Sequence, residues 1–435
     1  MGYIRDYLKN RKLKEESRTD QKHFTRERKV GFTTLICMIL NMVKRTTQIE
    51  IDEFLEKFEA RKGKQMTYTR QSFSEARQKL SPKAFIMIND EFIRRYYEDD
   101  DFKTYKGYRL LAIDGLCIEV PNTKELREHY GYAIKGGSDK RAARALSSVV
   151  YDVENKIIIN SLIGRYGGSE RELAMQNISR IKDLKPGKVK DLILFDRGYP
   201  SAEFIMFLNQ SNIKFLIRTP ASFYTEVKNT KTRDENVGVR FTKQRVRDHR
   251  KRGLLIPEGT ILNLRVLKVP LDSGEIETLI TNLDENELKY EESKELYFKR
   301  WGIETKFDEL KNKFEIENFA GIKPLIIEQD FHATILLSNF ASMFEQDAEE
   351  ELAKANKHKN LKHEYKINKN ILIGKLKDSF IKILLESNSI KQGILYTKFV
   401  RDLRRNIVSV EKGRTFKRNK THSTNKYSNV RRRAL

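Results

Sequence analysis

Between Arg109 and Val120 the chain reads RLLAIDGLCIEV, a run of large apolar and β-branched residues around a single aspartate, Asp114, with Gly115 directly after it. A run of this composition predicts a central β-strand. Burying a carboxylate there is costly unless it is hydrogen-bonded, paired or bound to a cation. Asp114 is thus either a metal ligand or a hydrogen-bonded turn aspartate, and the fold has to be built on a sheet that can hold it.

The next 100 residues supply the rest of that sheet. Ala145 to Tyr151 and Lys156 to Gly164 are predicted strands separated only by the turn-like Asp152 to Asn155, which makes them antiparallel neighbours. Ser169 to Leu184 has helical periodicity, with Ser169 as its cap and Glu172 three residues on as a capping-box partner. Asp191 to Asp196 (DLILFD) is a further strand, and strand-helix-strand implies a parallel crossover. Asp196 then stands at the carboxyl end of its strand, where open α/β sheets bind ligands. A helix over Ser201 to Asn209 and a strand over Ile213 to Ile217 follow.

A second concentration of functional side chains lies in Leu296 to Phe319, LYFKRWGIETKFDELKNKFEIENF, which has no Pro and one Gly. On a helix advancing about 100° per residue, Tyr297, Arg300, Glu304 and Lys311 share one face. Leu296, Ile303, Phe307, Leu310 and Phe314 form a neighbouring apolar stripe that should meet a core. An amphipathic helix with solvated charges accounts for any one of these residues alone, and Asp308, near the same face, rivals Glu304. A carboxylate flanked by Arg and Lys on one face suits a site that holds a metal ion beside phosphate.

The 435 residues suffice for two or three domains with a sizeable core. Lys and Arg number 85 against 61 acids, a formal charge of +24. That excess points to a polyanion, most simply nucleic acid, although a merely basic soluble protein has the same balance. Cys37 and Cys117, the only cysteines, stand far apart in apolar surroundings, which argues against a disulfide scaffold or a cysteine-rich zinc site. The longest apolar run, Gly31 to Val43, is too short to span a bilayer and starts too late for a secretory signal, so a cytoplasmic location is expected.

Before the central strand, Met1 to about Asp101 is mostly helical and basic. Within it Thr67 to Leu80, TYTRQSFSEARQKL, followed by Ser81-Pro82, allows either a helix-turn-helix presenting Arg70, Ser74 and Arg77 to DNA or a plain helical bundle. Arg218 to Leu283 alternates apolar and polar residues and is predicted β-rich. It carries the basic cluster Arg245 to Arg252, which is a solvated loop or a backbone contact. After Pro324 helices are expected at Phe331 to Phe344, Lys375 to Leu385 and Thr397 to Ile407, and the acid-free tail Lys412 to Leu435 is expected to be disordered and to adhere to nucleic acid.

Three blocks together resemble the insertion-sequence-4 family of DDE transposases. The spacing of Tyr297, Arg300, Glu304 and Lys311 is similar to that family's signature, Asp196-Arg197-Gly198-Tyr199 to its second acid block, and Asp114-Gly115 to its first. The resemblance runs from about Arg109 to Gly321. It implies an α/β, ribonuclease H-like catalytic core interrupted by a β-rich insertion, with helical amino- and carboxyl-terminal regions. In residue numbers this is 1–101 helical and binding DNA ends, 102–218 the first part of the core, 219–283 the insertion, 284–345 the part of the core with the signature helix, and 346–435 helical with the basic tail. It also implies Asp114, Asp196 and Glu304 as catalytic metal ligands, with Tyr297, Arg300, Lys311 and Arg197 against DNA.

Three such carboxylates surround two divalent ions roughly 3.5 to 4 Å apart in enzymes of in-line phosphoryl transfer; hard oxygen donors suit Mg²⁺, with Mn²⁺ as a substitute. The expected activity is cleavage at the ends of a mobile element and joining to target DNA. The expected partners are double-stranded DNA, as inverted repeats and target, and a second copy of the chain in a synaptic complex within a bacterial or archaeal nucleoid. A site-specific nuclease without strand transfer shares the same acids, and a decayed DNA-binding relative shares the basic surface.

Overall fold

The structure is a computed structural model describing residues 1–26, 30–41, 46–58, 67–98, 101–134, 141–184, 187, 189–220, 222–250, 255–361 and 363–410. Its amino-terminal part is helical: α1 (Gly2–Tyr7), α2 (Arg11–Glu16), α3 (Phe32–Leu40), α4 (Thr47–Phe58), α5 (Arg70–Arg77) and α6 (Lys83–Tyr96). There follow β1 (Tyr108–Glu119), α7 (Lys124–Tyr130), β2 (Tyr132–Ile134), β3 (Arg141–Asp152), β4 (Ile157–Arg165), α8 (Glu170–Ile181), β5 (Lys190–Phe195), α9 (Ala202–Gln210) and β6 (Lys214–Thr219). Strands β1, β3 and β4 are antiparallel neighbours, whereas β5 runs parallel to both β1 and β6. This is the order of three antiparallel strands, helix, strand, helix, strand that the sequence predicts.

The interval before the signature stretch holds α10 (Thr225–Lys228), β7 (Asp234–Arg240), α11 (Lys243–Arg250), β8 (Ile261–Pro270) and β9 (Ile276–Thr281). It is β-rich, and its strands add to the same sheet: β9 pairs antiparallel with β6, and β8 and β7 follow outward. The sheet thereby runs without a break from β2 to β7.

The stretch expected as one helix from Leu296 is two, α12 (Ser293–Phe298) and α13 (Trp301–Asn312). They are joined by a single tightened turn in which Arg300 N–H donates to Tyr297 O and Gly302 N–H to Lys299 O, so the facing of the side chains is kept. The helix ends at Asn312, not Phe319: Glu315 takes a left-handed φ of 50°, and Ile316 N–H closes back on Leu310 O.

The rest is α14 (Pro324–Asn356), β10 (Glu364–Ile367), α15 (Lys369–Leu385), α16 (Ser389–Arg404) and β11 (Ile407–Val410), the two short strands pairing antiparallel. No helix among the described residues is long and apolar enough to cross a membrane. Neither cysteine is in a disulfide; Cys37 is buried and Cys117 half-buried on β1. The tail from Lys412 lies outside the described residues.

Helix α14 is buried along most of its length and ties the layers together. Strand β4 has β3 as its partner, and Asn339 of α14 satisfies its outer edge, accepting from Ile158 N–H at 2.7 Å and donating to Ile158 O at 2.7 Å. Gln329 donates to the carbonyls of Arg77 and Leu80, and Arg77 reaches Gln329 at 2.8 Å and Asp330 at 2.7 Å. Arg77 is therefore buried and cannot belong to a basic edge facing DNA, while Arg70 and Ser74 remain exposed. The apolar spacing of α5 shows which residues turn inward but not that a charge turns in with them. Its partner, Asp330, lies some 250 positions away.

The register of β1 on β5 is pinned by a buried ion pair. Arg109 and Asp191 are directly paired residues of the two parallel strands, and the guanidinium grips the carboxylate at 2.8 and 3.2 Å while also donating to Leu184 O. Both side chains are essentially inaccessible, and Tyr97 stacks 5.2 Å from the guanidinium while its hydroxyl donates to Asp152. Removing one partner strands a buried charge, which typically costs about 3–5 kcal/mol. Asp191→Asn should lower unfolding free energy by that amount in a urea titration; a loss under 1 kcal/mol would mean that the pair is not holding the strands.

His332 of α14 supplies a pH-dependent term. Burial, with repulsion from Arg180 second, pushes its pKa down to about 3 from the ordinary 6.5. Below pH 6.5 the unfolded chain takes up a proton that the folded chain refuses, so stability falls with pH until about pH 3, by up to about 1.4 kcal/mol per pH unit. His332→Leu should remove this slope between pH 6 and pH 4.5, seen as a wild-type urea midpoint that drops relative to the variant on acidification.

Candidate active site

The two parallel strands set the first two acids side by side. Ala112 pairs with Leu194, and Asp114 and Asp196 each lie two residues further on. Alternation puts both on the face shared by Ala112 and Leu194, in strands about 4.8 Å apart. Strand β5 stops at Phe195, so β1 runs on beyond it with an edge open on that side. Helix α13 lies along this edge: Lys311 Nζ donates to Cys117 O at 2.6 Å, and Glu317 accepts from Glu119 N–H at 2.9 Å.

This packing brings the third acid to the other two. Arg300, 4% exposed, reaches Glu304 at 2.8 Å and Asp114 at 3.5 Å, so one guanidinium stands between the first and third acids. Asp196 lies within electrostatic reach of Asp114 and Arg300. The side chains of Asp114 and Glu304 keep 21% and 28% exposure. Burial pushes the Asp114 carboxyl up to about 6; Asp196 and Glu170 push the same way, while the Gly115 N–H and Arg300 pull against them.

The apolar stripe behind α13 is buried throughout. A charged cluster also fixes the helix from behind: buried Lys306 pairs with Glu309 at 2.8 Å, and Lys369 of α15 joins Glu309 to Glu345 of α14. Burial disfavours the ionised Glu309, but the two ammonium groups outweigh it and hold its pKa at about 2.

The remaining predicted residues take different positions. Tyr297 is buried, with its hydroxyl donating to Phe195 O at 3.3 Å and its ring under Arg300. Lys311 lies on the row of Arg300 and Glu304 but directs its ammonium to Cys117 O and, at 3.0 Å, to Glu317. Arg197 is exposed in the turn after β5. Asp308, the rival of Glu304, is exposed and paired with Asn312. Trp301 is 44% exposed, since its place on the helix falls outside the apolar stripe. In the basic cluster, Arg245 is bound to Glu226 at 2.7 and 2.9 Å, whereas Arg247 and Arg250 are exposed; residues 251 and 252 lie outside the described residues.

Two residues at this site escape a reading of the sequence. Arg171 donates to Gly198 O at 2.9 and 3.2 Å and so ties the first turn of α8 to the turn after β5. Glu170, beside it, lies over Gly115. The only sequence signal for either is its place next to the capping Ser169.

Among the described residues no three acid, histidine or cysteine side chains are gathered as a metal-holding group. Arg300 supplies the countercharge where Asp114 and Glu304 face each other. In kind the donors fit a hard divalent cation, since Asp114 of β1 and Glu304 of α13 both bind Arg300, and Asp196, at the end of β5, lies within electrostatic reach of it. Because Arg300 favours the ionised Asp114, Arg300→Gln should move the Asp114 titration above about 6, followed by carboxyl ¹³C NMR. An unchanged titration would show that the guanidinium does not act on that carboxylate.

The family model for the transposase DDE domain matches residues 105–340, from just before β1 into α14. Transposase InsG for insertion sequence element IS4 of Escherichia coli (strain K12) is 23% identical over 273 residues, 61% of this chain and 58% of that protein, so the chain spans little more than half of this relative. Two solved structures are also similar, each at 13% identity: a piggyBac transposase synaptic complex with hairpin DNA, with a TM-score of 0.39 over 95% of this chain and 84% of that one, and a Mos1 transposase paired-end complex with left transposon end, with a TM-score of 0.18 over 45% and 61%. The family match covers more than half of the chain and contains every acid that the fold brings together, and the chain therefore belongs to the DDE transposases of the insertion-sequence-4 family.

Proposed function

We propose that this chain cuts DNA at the ends of a mobile element and joins those ends to target DNA, using Asp114, Asp196 and Glu304. The observation that carries the reading is the meeting of these three acids and Arg300 at the open edge of β1, a partly exposed place in a chain of net charge +24. The strand order β4-β3-β1-β5-β6 supports a ribonuclease H-like core for 102–218, with 284–345 adding the signature helix and 219–283 inserted between them as a sheet extension. Residues 1–101 are assigned to recognition of DNA ends and 346–435 to support of α13 and further DNA contact.

Asp114, Asp196 and Glu304 would hold two Mg²⁺ ions, or Mn²⁺ in their place. When bound, such ions lower the pKa of an attacking water or 3′-hydroxyl and stabilise the leaving oxygen. Arg300 has a separate task. Its guanidinium binds both Asp114 and Glu304 and would meet a phosphate that enters between them. Arg197, exposed beside Asp196, would contact the DNA backbone from the other strand end. Lys311 and Tyr297 work behind this surface, holding α13 to β1 and α12 to the end of β5. Joining requires two element ends in one complex, and a homodimer acting on duplex DNA in the nucleoid is the simplest assembly.

The test uses the full chain, a duplex carrying inverted repeats, and Mg²⁺ or EDTA. Wild type should cut and join with Mg²⁺ and do neither with EDTA, and Glu304→Gln should lose at least about 100-fold, the upper end of what losing an outer-shell metal partner costs. Cutting without joining would favour a nuclease. Binding without cutting would leave a DNA-binding protein only, and a fully active variant would remove Glu304 from the site.

A further inference from the structure

Beside the three acids stands a fourth carboxylate that neither the signature nor its spacing marks. Glu170 is the first residue of α8 after the capping Ser169, whose hydroxyl accepts from Glu172 N–H. Its side chain lies over the backbone of β1 beside Asp114: a Cβ built on Gly115 would come within 2.7 Å of Glu170 Oε1 and 2.8 Å of its Cδ. Gly115 needs no unusual backbone there, since it is an ordinary strand residue paired with Ser148. What its missing side chain provides is room for a carboxylate beside Asp114.

An acid in the first turn of a helix has an ordinary explanation, namely attraction to the helix dipole. Glu172, in the same turn, is served by it equally well. A second observation separates the two. Tyr199, 1% exposed, carries a hydroxyl with no hydrogen-bond partner, and that hydroxyl lies within electrostatic reach of Asp114, Glu170 and Asp196. A buried hydroxyl without a partner beside three carboxylates calls for a ligand that supplies one. A hydrated divalent cation does so, because it neutralises the acids and carries water to the hydroxyl. The arrangement is also held in place: Arg171 binds Gly198 O, so the turn bearing Glu170 and the turn bearing Asp196 and Tyr199 form one unit.

We propose that Glu170 is a fourth carboxylate of the metal centre, acting with Asp114 and Asp196 on the strand side of the site, and that Gly115 stays free of a side chain to admit it. The inference rests on the metal reading above, and its test must tell the two apart. Mn²⁺ is titrated calorimetrically into the full chain without DNA, for wild type, Glu170→Gln, Glu172→Gln, Gly115→Ala and Asp114→Asn.

Glu170→Gln should weaken Mn²⁺ binding about 10-fold or more, and Gly115→Ala should do likewise, because its new methyl group displaces the carboxylate. Glu172→Gln should stay within about twofold of wild type while losing as much thermal stability as Glu170→Gln, since both lose the same dipole interaction. If Asp114→Asn abolishes binding and Glu170→Gln leaves it unchanged, Glu170 serves the helix alone and the inference falls. If wild type binds no Mn²⁺, or Asp114→Asn binds as well as wild type, the metal reading falls and Glu170 falls with it.

Discussion

The site depends on the register of one strand pair. Arg109 and Asp191 face each other across β1 and β5 in a buried, two-point contact, and five residues beyond each stand Asp114 and Asp196. A slip of one residue would turn one aspartate to the opposite face of the sheet. Parallel strands joined through a helix have no tight turn to set their register, so a specific buried pair does what hairpin geometry does elsewhere. The surroundings make a mispaired state costly: Tyr97 lies against Arg109 and binds Asp152, which in turn holds the turn at Asn155.

The third acid arrives by a different route. Glu304 is on a helix, and a helix laid along a strand edge can slide or roll unless something stops it. Lys311 and Glu317 hold α13 to the backbone of β1, and Lys306, Glu309 and Lys369 hold its other side to α14 and α15. The helix is clamped from front and back, which leaves Arg300 and Glu304 facing Asp114. Arg300 keeps like charges from meeting unscreened in a half-buried place.

The family signature mixes chemistry with architecture. Its Tyr and Lys, grouped by spacing with Arg300 and Glu304, are occupied with backbone carbonyls: Tyr297 with that of Phe195 and Lys311 with that of Cys117. A shared helical face is a statement about angle. It does not say what each side chain meets along the axis: Arg300 meets Asp114 and Glu304, whereas Tyr297 and Lys311 meet strand carbonyls. Arg77 shows the same limit from the opposite side, as a charge at a helical position that looked solvated and is buried against α14.

The sequence alone determined what depends on local periodicity and short connections. Strands β1, β3, β4, β5 and β6 and helices α8 and α9 are legible in it, because apolar alternation, capping residues and short turns act between near neighbours. Asp114 and Asp196 are conspicuous in it as well, as lone carboxylates within or at the end of an apolar strand, whereas Glu304 stands apart from its helical neighbour Asp308 only through resemblance to the family signature. Tertiary structure decided the rest: that β9 joins β6 and makes the stretch between β6 and α12 part of one sheet, that Arg77 turns inward, and that Glu170 comes to lie over Gly115. Each of these links groups between 55 and about 250 positions apart, or strands 60 positions apart. Which of many polar side chains meets another at such separations is set by how the layers stack, and the pattern of each segment taken singly does not contain it.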